Sequence, residues 1–368
     1  MFVETSSNAR GLFWPFPPET ALGQTRGLSM TIQQAIRTIT SGIHLTVEQS
    51  VEVFDEIMTG KTTDAQIAAF IVALRMKGET ADEITGAVTV MRRKAVNVLP
   101  RDTSHVVDTC GTGGDGAGTF NISTAAAFVA AAAGATVAKH GGRNVSSVCG
   151  SADVLEALGV TITVSPDTMK ECLDEIGIGF LFAPSLHAAM KYAIGPRKEI
   201  GIRTVFNILG PLTNPARAST QLLGVFSAEM TETLATVLCN LGSRKAYVVH
   251  GTDKLDEISI CAETRIAELS NGAVRSYTVS PEDFGFQRAT HADIEGGNPP
   301  HNAEIIRGIL DGKKGPRRDI VTLNAAFALA ASGVVATPRE GIHRACEAID
   351  SGAAKEKLRL LVEKTKGR

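Results

Sequence analysis

The chain has 368 residues, of which 43% are hydrophobic and 21% are charged, as expected for a globular protein with two domains or one large one. Its formal net charge of −2 gives it no general attraction to nucleic acid or to an anionic membrane. No apolar run approaches the roughly 18 residues that cross a bilayer, and the six cysteines are scattered without a C-x-x-C pair, which predicts reduced thiols in a cytoplasmic protein rather than a structural zinc site.

Residues 1–29 are interpreted as a loosely ordered extension. They contain an aromatic and proline-rich stretch at residues 13–18 but lack the basic start, apolar middle and cleavage site of a signal peptide. Regular helical patterning begins immediately after Met30. Our hypothesis is that Met30 is an alternative start, in which case a chain without residues 1–29 keeps its activity.

A small helical domain is predicted over residues 30–100. Its helix starts are marked by capping boxes, in which a Thr hydroxyl and a Gln or Glu three positions later satisfy free backbone amides reciprocally. Glycines follow where the first three helices should end. The boxes begin at Thr31, Thr46, Thr63 and Thr80, and the glycines are Gly42, Gly60 and Gly78.

Residues 101–368 are predicted to form a larger α/β domain with a central, mostly parallel sheet. Short apolar segments alternate with polar loops and helices, which is typical of parallel strands joined by crossover helices. Residues 198–217 are expected to form a helical return to the small domain. The predicted strands are 105–108, 135–138, 160–164, 180–182, 222–226, 246–249 and 275–279, and the predicted helices are 125–133, 151–158, 325–332 and 339–350.

A glycine-rich loop, Gly111-Thr112-Gly113-Gly114-Asp115-Gly116, follows the first predicted strand. It fits G-x-G-x-x-G, but a dinucleotide site also needs an acidic residue after the second strand, where this chain has Lys139-His140. A P-loop is disfavoured because no Gly-Lys-Ser/Thr follows. A flexible turn needs fewer glycines. The loop therefore favours a backbone cradle for phosphate or pyrophosphate.

Polar residues near this loop favour the same interpretation. Asn121, Ser123 and Thr124 precede an Ala-rich helix, where they are suitable N-caps and also suitable anion ligands. Lys139 and His140 end the second parallel strand, so they should face the same crevice as the loop. Further hydroxyls near the next helix start belong to Ser146, Ser147 and Ser151.

Asp256 and Glu257 form an adjacent acidic pair after the strand predicted at 246–249. Acidic pairs are common on surfaces, but beside a phosphate site they are natural Mg²⁺ ligands, because Mg²⁺ is usually held by one or two carboxylates and phosphate oxygens. Arg197 taken alone is typical of a surface residue.

With these residues assembled, the chain resembles the anthranilate phosphoribosyltransferases of tryptophan biosynthesis from about Met30 to the C-terminus. The resemblance implies a helical domain hinged to an α/β domain, substrates that meet in the cleft, and a homodimer formed through the helical domains. It implies phosphoribosyl pyrophosphate (PRPP) and anthranilate as substrates, with two Mg²⁺ ions. The motifs that carry it are residues 111–115, 121–124, 139–141, 146–147, 150–158, 206–215 and 256–257.

The resemblance also implies roles for individual residues. The implied PRPP ligands are Gly111, Gly113, Gly114, Asp115, Thr119, Asn121, Ser123, Thr124, Lys139 and Ser151. The implied Mg²⁺ ligands are Ser123, Asp256 and Glu257. The implied anthranilate contacts are Gly111, His140, Gly142, His187 and Arg197, with Arg197 facing the anthranilate carboxylate. His140 is a candidate general base by location only, so no catalytic residue is assigned.

One departure from the family pattern affects the acceptor. The family usually has Lys-His-Gly-Asn-Arg, whereas this chain has Gly142 in place of that asparagine. Either Asn144 or water substitutes, or the acceptor differs. A pyrimidine nucleoside phosphorylase-like enzyme stays an alternative, although the acidic pair favours the transferase. A non-catalytic relative that binds nucleic acid would need a basic surface, which the net charge of −2 disfavours.

Overall fold

Four helices open the computed structural model, which describes residues 29–143 and 148–367. Each helix begins after the threonine that its capping box indicates, and both hydrogen bonds of each box are present. Gly78 ends the third helix with a φ of 90°, a conformation that favours glycine. The predicted helix starts are confirmed. The helices are α1 Ile32–Thr40, α2 Val47–Met58, α3 Asp64–Lys77 and α4 Ala81–Lys94.

An aromatic cluster lies within the largely aliphatic core of this helical bundle. Phe54 packs edge-on against Phe70, with ring centroids 5.7 Å apart, and against Phe206 at 6.0 Å. Because Phe206 comes from a distant segment, the chain returns to the bundle there, as expected. The residue boundaries of the domains stay a prediction.

The larger domain is built on a seven-stranded sheet with the order β3-β2-β1-β4-β5-β6-β7. The first five strands in this order are parallel, and β6 and β7 add an antiparallel edge. Asn271 and Gly272 join β6 to β7 with φ values of 51° and 76°, as in a tight hairpin turn. The strands are β1 Val106–Asp108, β2 Thr136–Gly141, β3 Ile178–Phe182, β4 Thr220–Gly224, β5 Lys245–Gly251, β6 Thr264–Ser270 and β7 Ala273–Val279.

Helices cover the sheet and fill the space between it and the bundle. At Gly341 an added Cβ would lie 2.6 Å from the Ala326 carbonyl oxygen, so two of the C-terminal helices approach more closely than a side chain allows. The remaining helices are α5 Ile122–Ala132, α6 Ser151–Leu158, α7 Pro166–Glu171, α8 Ala183–Leu186, α9 Lys191–Ile200, α10 Phe206–Leu209, α11 Met230–Asn240, α12 Pro299–Leu310, α13 Pro316–Ser332, α14 Pro338–Asp350 and α15 Ala353–Lys366.

Three expectations about the secondary structure need correction. Residues 160–164 form no strand; Val160 and Ile162 are buried in an irregular link between α6 and α7, so their apolar pattern reflects core packing. Strand β6 was not predicted. The return at 198–217 holds only short helical turns, because its prolines lack the amide that a longer helix needs, and the longer helix α9 lies mainly before it.

The sheet order places a crevice at the carboxyl ends of β1 and β4. After β1 the chain adds β2 and β3 on one side of β1, and after β4 it adds β5 on the opposite side. The direction of strand order therefore reverses between the neighbouring strands β1 and β4, which makes this a topological switch point. Open α/β sheets bind ligands at such points.

No helix among the described residues is long and apolar enough to span a membrane.

Candidate active site

The glycine-rich loop forms a concave turn of backbone amides at this crevice. Gly113, Gly114 and Gly116 have φ values of 65°, 77° and 70°, which L side chains rarely adopt. Within the described residues, the amides of Gly114, Asp115 and Gly116 find no hydrogen-bond acceptor. Consecutive free amides in such a turn make an anion-binding concavity.

Contacts with the next strand hold this loop in place. The Thr112 amide donates to the Gly224 carbonyl at 2.9 Å, and the Phe226 amide donates to the Thr112 hydroxyl at 3.2 Å. An added Cβ at Gly224 would lie 1.5 Å from the Asp256 carbonyl oxygen, so only glycine fits there. The loop is therefore fixed between the ends of β1 and β4 and the segment that carries Asp256.

Three carboxylates converge beside the loop. Asp256 accepts a hydrogen bond from the Gly113 amide at 2.8 Å, and its own amide donates to Asp115 at 3.4 Å. Removal from water raises the pKa of Asp256 well above its usual range, and the charges of Asp115 and Glu257 add to this rise. Neighbouring carboxylates that repel one another in this way suit a hard divalent cation such as Mg²⁺.

Glu257 links these carboxylates to the start of α5. It accepts a hydrogen bond from the Ser123 amide at 3.0 Å. Burial raises the pKa of Glu257 to about 7, and the nearby Lys139 opposes this rise. Lys139 is buried; its ammonium donates to the Thr109 carbonyl at 2.8 Å and lies 3.3 Å from the Ser123 hydroxyl. The helix start, the cation and the acids thus share one small region.

Two other expected PRPP ligands differ in whether their side chains already have hydrogen-bond partners. The Asn121 carboxamide donates to the Cys149 carbonyl at 3.1 Å and accepts from Asn302 at 3.0 Å, so internal contacts already hold it. The Thr124 hydroxyl is buried, and no partner for it exists among the described residues. An unpartnered buried hydroxyl is costly, which is consistent with a ligand contact.

Contacts with other segments hold the remaining expected PRPP ligands. Thr119 forms an isolated antiparallel bridge with Glu295. Ser151 begins α6, and its hydroxyl donates to the Gly142 carbonyl at 3.4 Å. Asn144, Ser146 and Ser147 lie outside the described residues.

His140 and His187 form a buried pair on the other side of the crevice. Their Nε2 atoms are 3.2 Å apart, and His140 Nδ1 lies 3.0 Å from the Gly210 carbonyl oxygen. These contacts place the hydrogen of His140 on Nδ1, since a carbonyl only accepts. Burial lowers the pKa of His140 to about 3 and that of His187 to about 4. Both rings are therefore neutral at physiological pH.

A cavity of about 500 Å³ adjoins the glycine-rich loop and this histidine pair. The Arg197 guanidinium lies over the Phe206 ring, 5.2 Å from its centroid, and partial burial lowers its pKa. Among the described residues, nothing lies within 4 Å of an added Cβ at Gly142, so this wall is open there. All five residues that are expected to contact anthranilate line this cavity: Gly111, His140, Gly142, His187 and Arg197.

Two further residues shape this crevice and were not predicted from the sequence. Asp108 accepts hydrogen bonds from the His140 amide at 3.1 Å and from the Asn214 side chain at 2.7 Å, and burial raises its pKa to about 6. Its place at the end of the first parallel strand could have indicated this. Arg203 donates to the Gly114 carbonyl and lines the cavity, and no sequence motif marks it.

Both domains match known families. Residues 33–95 match the glycosyl transferase family, helical bundle domain, and residues 103–355 match the glycosyl transferase family, a/b domain. The chain therefore belongs to the glycosyl transferase family that joins a helical bundle to an α/β domain, as its fold and crevice also indicate.

Similar proteins narrow this assignment. The chain is 56% identical over 333 residues to an anthranilate phosphoribosyltransferase of Moorella thermoacetica, covering 90% of this chain and 97% of that protein. The crystal structure of the Thermus thermophilus anthranilate phosphoribosyltransferase has a TM-score of 0.86 and 41% identity, over 90% of this chain and 99% of that one. The Saccharomyces cerevisiae enzyme in complex with PRPP and Mg has a TM-score of 0.83 and 27% identity, over 92% and 98%. Within the glycosyl transferase family, the chain belongs to the anthranilate phosphoribosyltransferases, which confirms the resemblance.

Proposed function

We propose that this enzyme transfers the phosphoribosyl group of PRPP to the amine of anthranilate, in tryptophan biosynthesis. The bond between the sugar C1 and the pyrophosphate oxygen breaks, a bond from C1 to the amine nitrogen forms, and the amine loses a proton. The products are N-(5-phosphoribosyl)anthranilate and pyrophosphate. The observation that carries the proposal is that an amide cradle with adjacent carboxylates opens directly onto the cavity that Arg197 lines.

The PRPP side of the site is built to hold charge. We assign PRPP to the loop amides, Lys139 and the hydroxyls at the start of α5. Ser123, Asp256 and Glu257 would hold Mg²⁺, in a two-ion arrangement with the pyrophosphate oxygens. Bound there, Mg²⁺ supplies positive charge against the departing pyrophosphate. Lys139, buried and fixed by Thr109, would stabilise the same charge without reorganising during the reaction.

The acceptor side is built to orient an aromatic acid. Arg197 would grip the anthranilate carboxylate, since a guanidinium binds a carboxylate with two parallel hydrogen bonds. The neutral His140 and His187 would line the path of the amine. The arylamine is uncharged at neutral pH, so positioning and exclusion of water are the main contributions that these residues make. We assign no general base.

The proposal also includes the oligomeric state and the cellular location of the enzyme. A homodimer formed through the helical domains is supported by large apolar side chains on the bundle surface, with Met76 83% exposed and Ile43 59% exposed. The scattered cysteines support a cytoplasmic location.

Release of pyrophosphate distinguishes the transferase from its alternatives. Purified protein with PRPP, Mg²⁺ and anthranilate is expected to release one pyrophosphate for each anthranilate consumed. The same protein with a pyrimidine nucleoside and inorganic phosphate is expected to release no base. The reverse result would establish a phosphorylase, and a salt-sensitive gel shift without either reaction would establish a nucleic-acid-binding relative.

A further inference from the structure

Arg203 contacts the glycine-rich loop from the acceptor side of the crevice. We propose that Arg203 is a positioning residue: it clamps the Gly114 carbonyl, and thereby fixes the loop amides for the pyrophosphate of PRPP. The inference rests on the proposed function and adds to it a residue that contacts the loop rather than the reacting atoms.

The clamp consists of two contacts. The Arg203 guanidinium donates a hydrogen bond to the Gly114 carbonyl, and it lies over the Phe226 ring, 4.7 Å from the centroid. The Phe226 amide donates to the Thr112 hydroxyl at 3.2 Å. Arg203 therefore holds the loop directly at Gly114, and its stacking partner holds the same loop at Thr112.

Peptide geometry connects this clamp to anion binding. In a trans peptide the carbonyl and the next amide point in opposite directions. Holding the Gly114 carbonyl toward Arg203 therefore directs the Asp115 amide away from Arg203, and among the described residues that amide has no acceptor. Glycines lose more conformational freedom than other residues when they are ordered, so an unclamped loop would lose more entropy when PRPP binds.

The position of Arg203 also connects the loop to the acceptor side. Arg203 follows α9, the helix that carries Arg197, and the next amide, that of Thr204, donates to the Asn207 side chain at 3.0 Å. The segment that would orient anthranilate thus also holds the PRPP loop. No carboxylate pairs with Arg203 in the described part of the chain, so its guanidinium is committed to the carbonyl and the ring.

The test compares wild type with Arg203→Ala and Arg203→Lys by calorimetry of Mg²⁺–PRPP binding and by steady-state kinetics. Arg203→Ala is expected to raise the Kd and the KM for PRPP about tenfold, because the charged hydrogen bond that orders the loop for binding is lost. The kcat should change less than about threefold, because Arg203 does not contact the reacting atoms. Arg203→Lys, which keeps a donor, is expected to recover part of the loss. Lys198→Ala is the control, because Lys198 is exposed on the same segment and does not line the cavity.

Salt dependence separates a clamp from a general attraction. The tenfold loss in Arg203→Ala is expected to persist at high salt, since a hydrogen bond at contact distance is little screened. A loss that disappears at high salt, or an Arg203→Ala protein that binds Mg²⁺–PRPP like wild type, would overturn the inference. Wild type that binds Mg²⁺–PRPP but transfers nothing to anthranilate would contradict the proposed function alone, since the calorimetric comparison still decides the role of Arg203.

Discussion

The backbone amide of Ser123 donates a hydrogen bond to the Glu257 carboxylate at 3.0 Å, across 134 positions of sequence. Ser123 lies in the first turn of α5, where free amides favour negative charge, and Glu257 follows β5. This contact joins the proposed phosphate-binding end of a helix to the acidic pair. A metal held by the pair is therefore adjacent to any phosphate bound at the helix start.

Replacing Asp256 with asparagine should separate its role in catalysis from its effect on stability. We expect Asp256→Asn to lower the transfer rate by about 10²-fold or more at saturating PRPP, because the proposed Mg²⁺ ligand is lost. In EDTA the thermal midpoint should not fall, because the repulsion between Asp256 and Asp115 is relieved. Rates across a Mg²⁺ titration and thermal melts check this. Glu347→Gln, an exposed change on α14, is the control, and activity within twofold of wild type would contradict the assignment.

The raised pKa of Glu257 predicts how metal affinity and stability depend on pH. Its pKa is about 7 in the folded protein, against 4.5 ordinarily, so between these values the folded state holds a proton that the unfolded state has lost. Without Mg²⁺, this group's contribution to stability should therefore decline as the pH rises from about 4.5 to 7 and stay low above it. Mg²⁺ must displace that proton, so its affinity should increase as the pH rises through about 7.

Calorimetry of Mg²⁺–PRPP binding at several pH values measures this effect. The Glu257→Gln variant has no such proton, so its weaker affinity for Mg²⁺–PRPP should change less with pH. Because PRPP titrates in the same way with both proteins, the difference between them reports Glu257 alone. Equal slopes for wild type and Glu257→Gln would show that Glu257 does not control metal binding.

His140 should contribute by position rather than by proton transfer. Its Nδ1 is engaged by the Gly210 carbonyl and its pKa is lowered to about 3, so it does not titrate in the neutral range. We expect His140→Ala to lower kcat by well under the roughly 10²–10⁴ of a general base. The dependence of kcat on pH should show no limb near the ordinary histidine pKa of about 6.5. A larger loss, in a variant whose thermal melt shows it folded, would establish His140 as the base.

Gly142 offers a test of acceptor recognition. An added Cβ there meets no described residue within 4 Å, and the backbone is not in the left-handed region, so asparagine should fit without backbone strain. If the carboxamide contacts anthranilate as the family pattern implies, Gly142→Asn should lower the KM for anthranilate by about three- to tenfold and leave the KM for PRPP unchanged. The neighbouring Gly141→Asn is a matched control, since its Cβ would lie 2.5 Å from the Ser151 hydroxyl and should destabilise the protein. A higher KM for anthranilate in Gly142→Asn would mean that the open wall itself accommodates the acceptor.

Local patterns in the sequence determined the parts of the fold that local chemistry controls. A threonine three positions before Gln or Glu recurs at four spaced sites in residues 31–83, so the starts of the bundle helices were predictable. Strand β6 was missed, and residues 160–164 were wrongly predicted as a strand, because a short apolar run does not distinguish a strand from buried irregular chain.

The site could be predicted in parts but not as a whole. The glycine-rich loop indicated a phosphate cradle because its composition is chemically unusual. The contact between Arg203 and Gly114 spans 89 positions, and that between Asp108 and Asn214 spans 106, and no local pattern encodes either. Such contacts depend on how the return segment packs against the sheet.

Anthranilate fluorescence tests the central claim most directly. Purified protein is mixed with anthranilate, PRPP and Mg²⁺, and a parallel sample contains EDTA. We expect a loss of fluorescence that requires PRPP and that EDTA abolishes, which would establish the acceptor, the donor and the metal together. Unchanged fluorescence in the complete mixture, with Mg²⁺–PRPP binding intact by calorimetry, would contradict anthranilate as the acceptor.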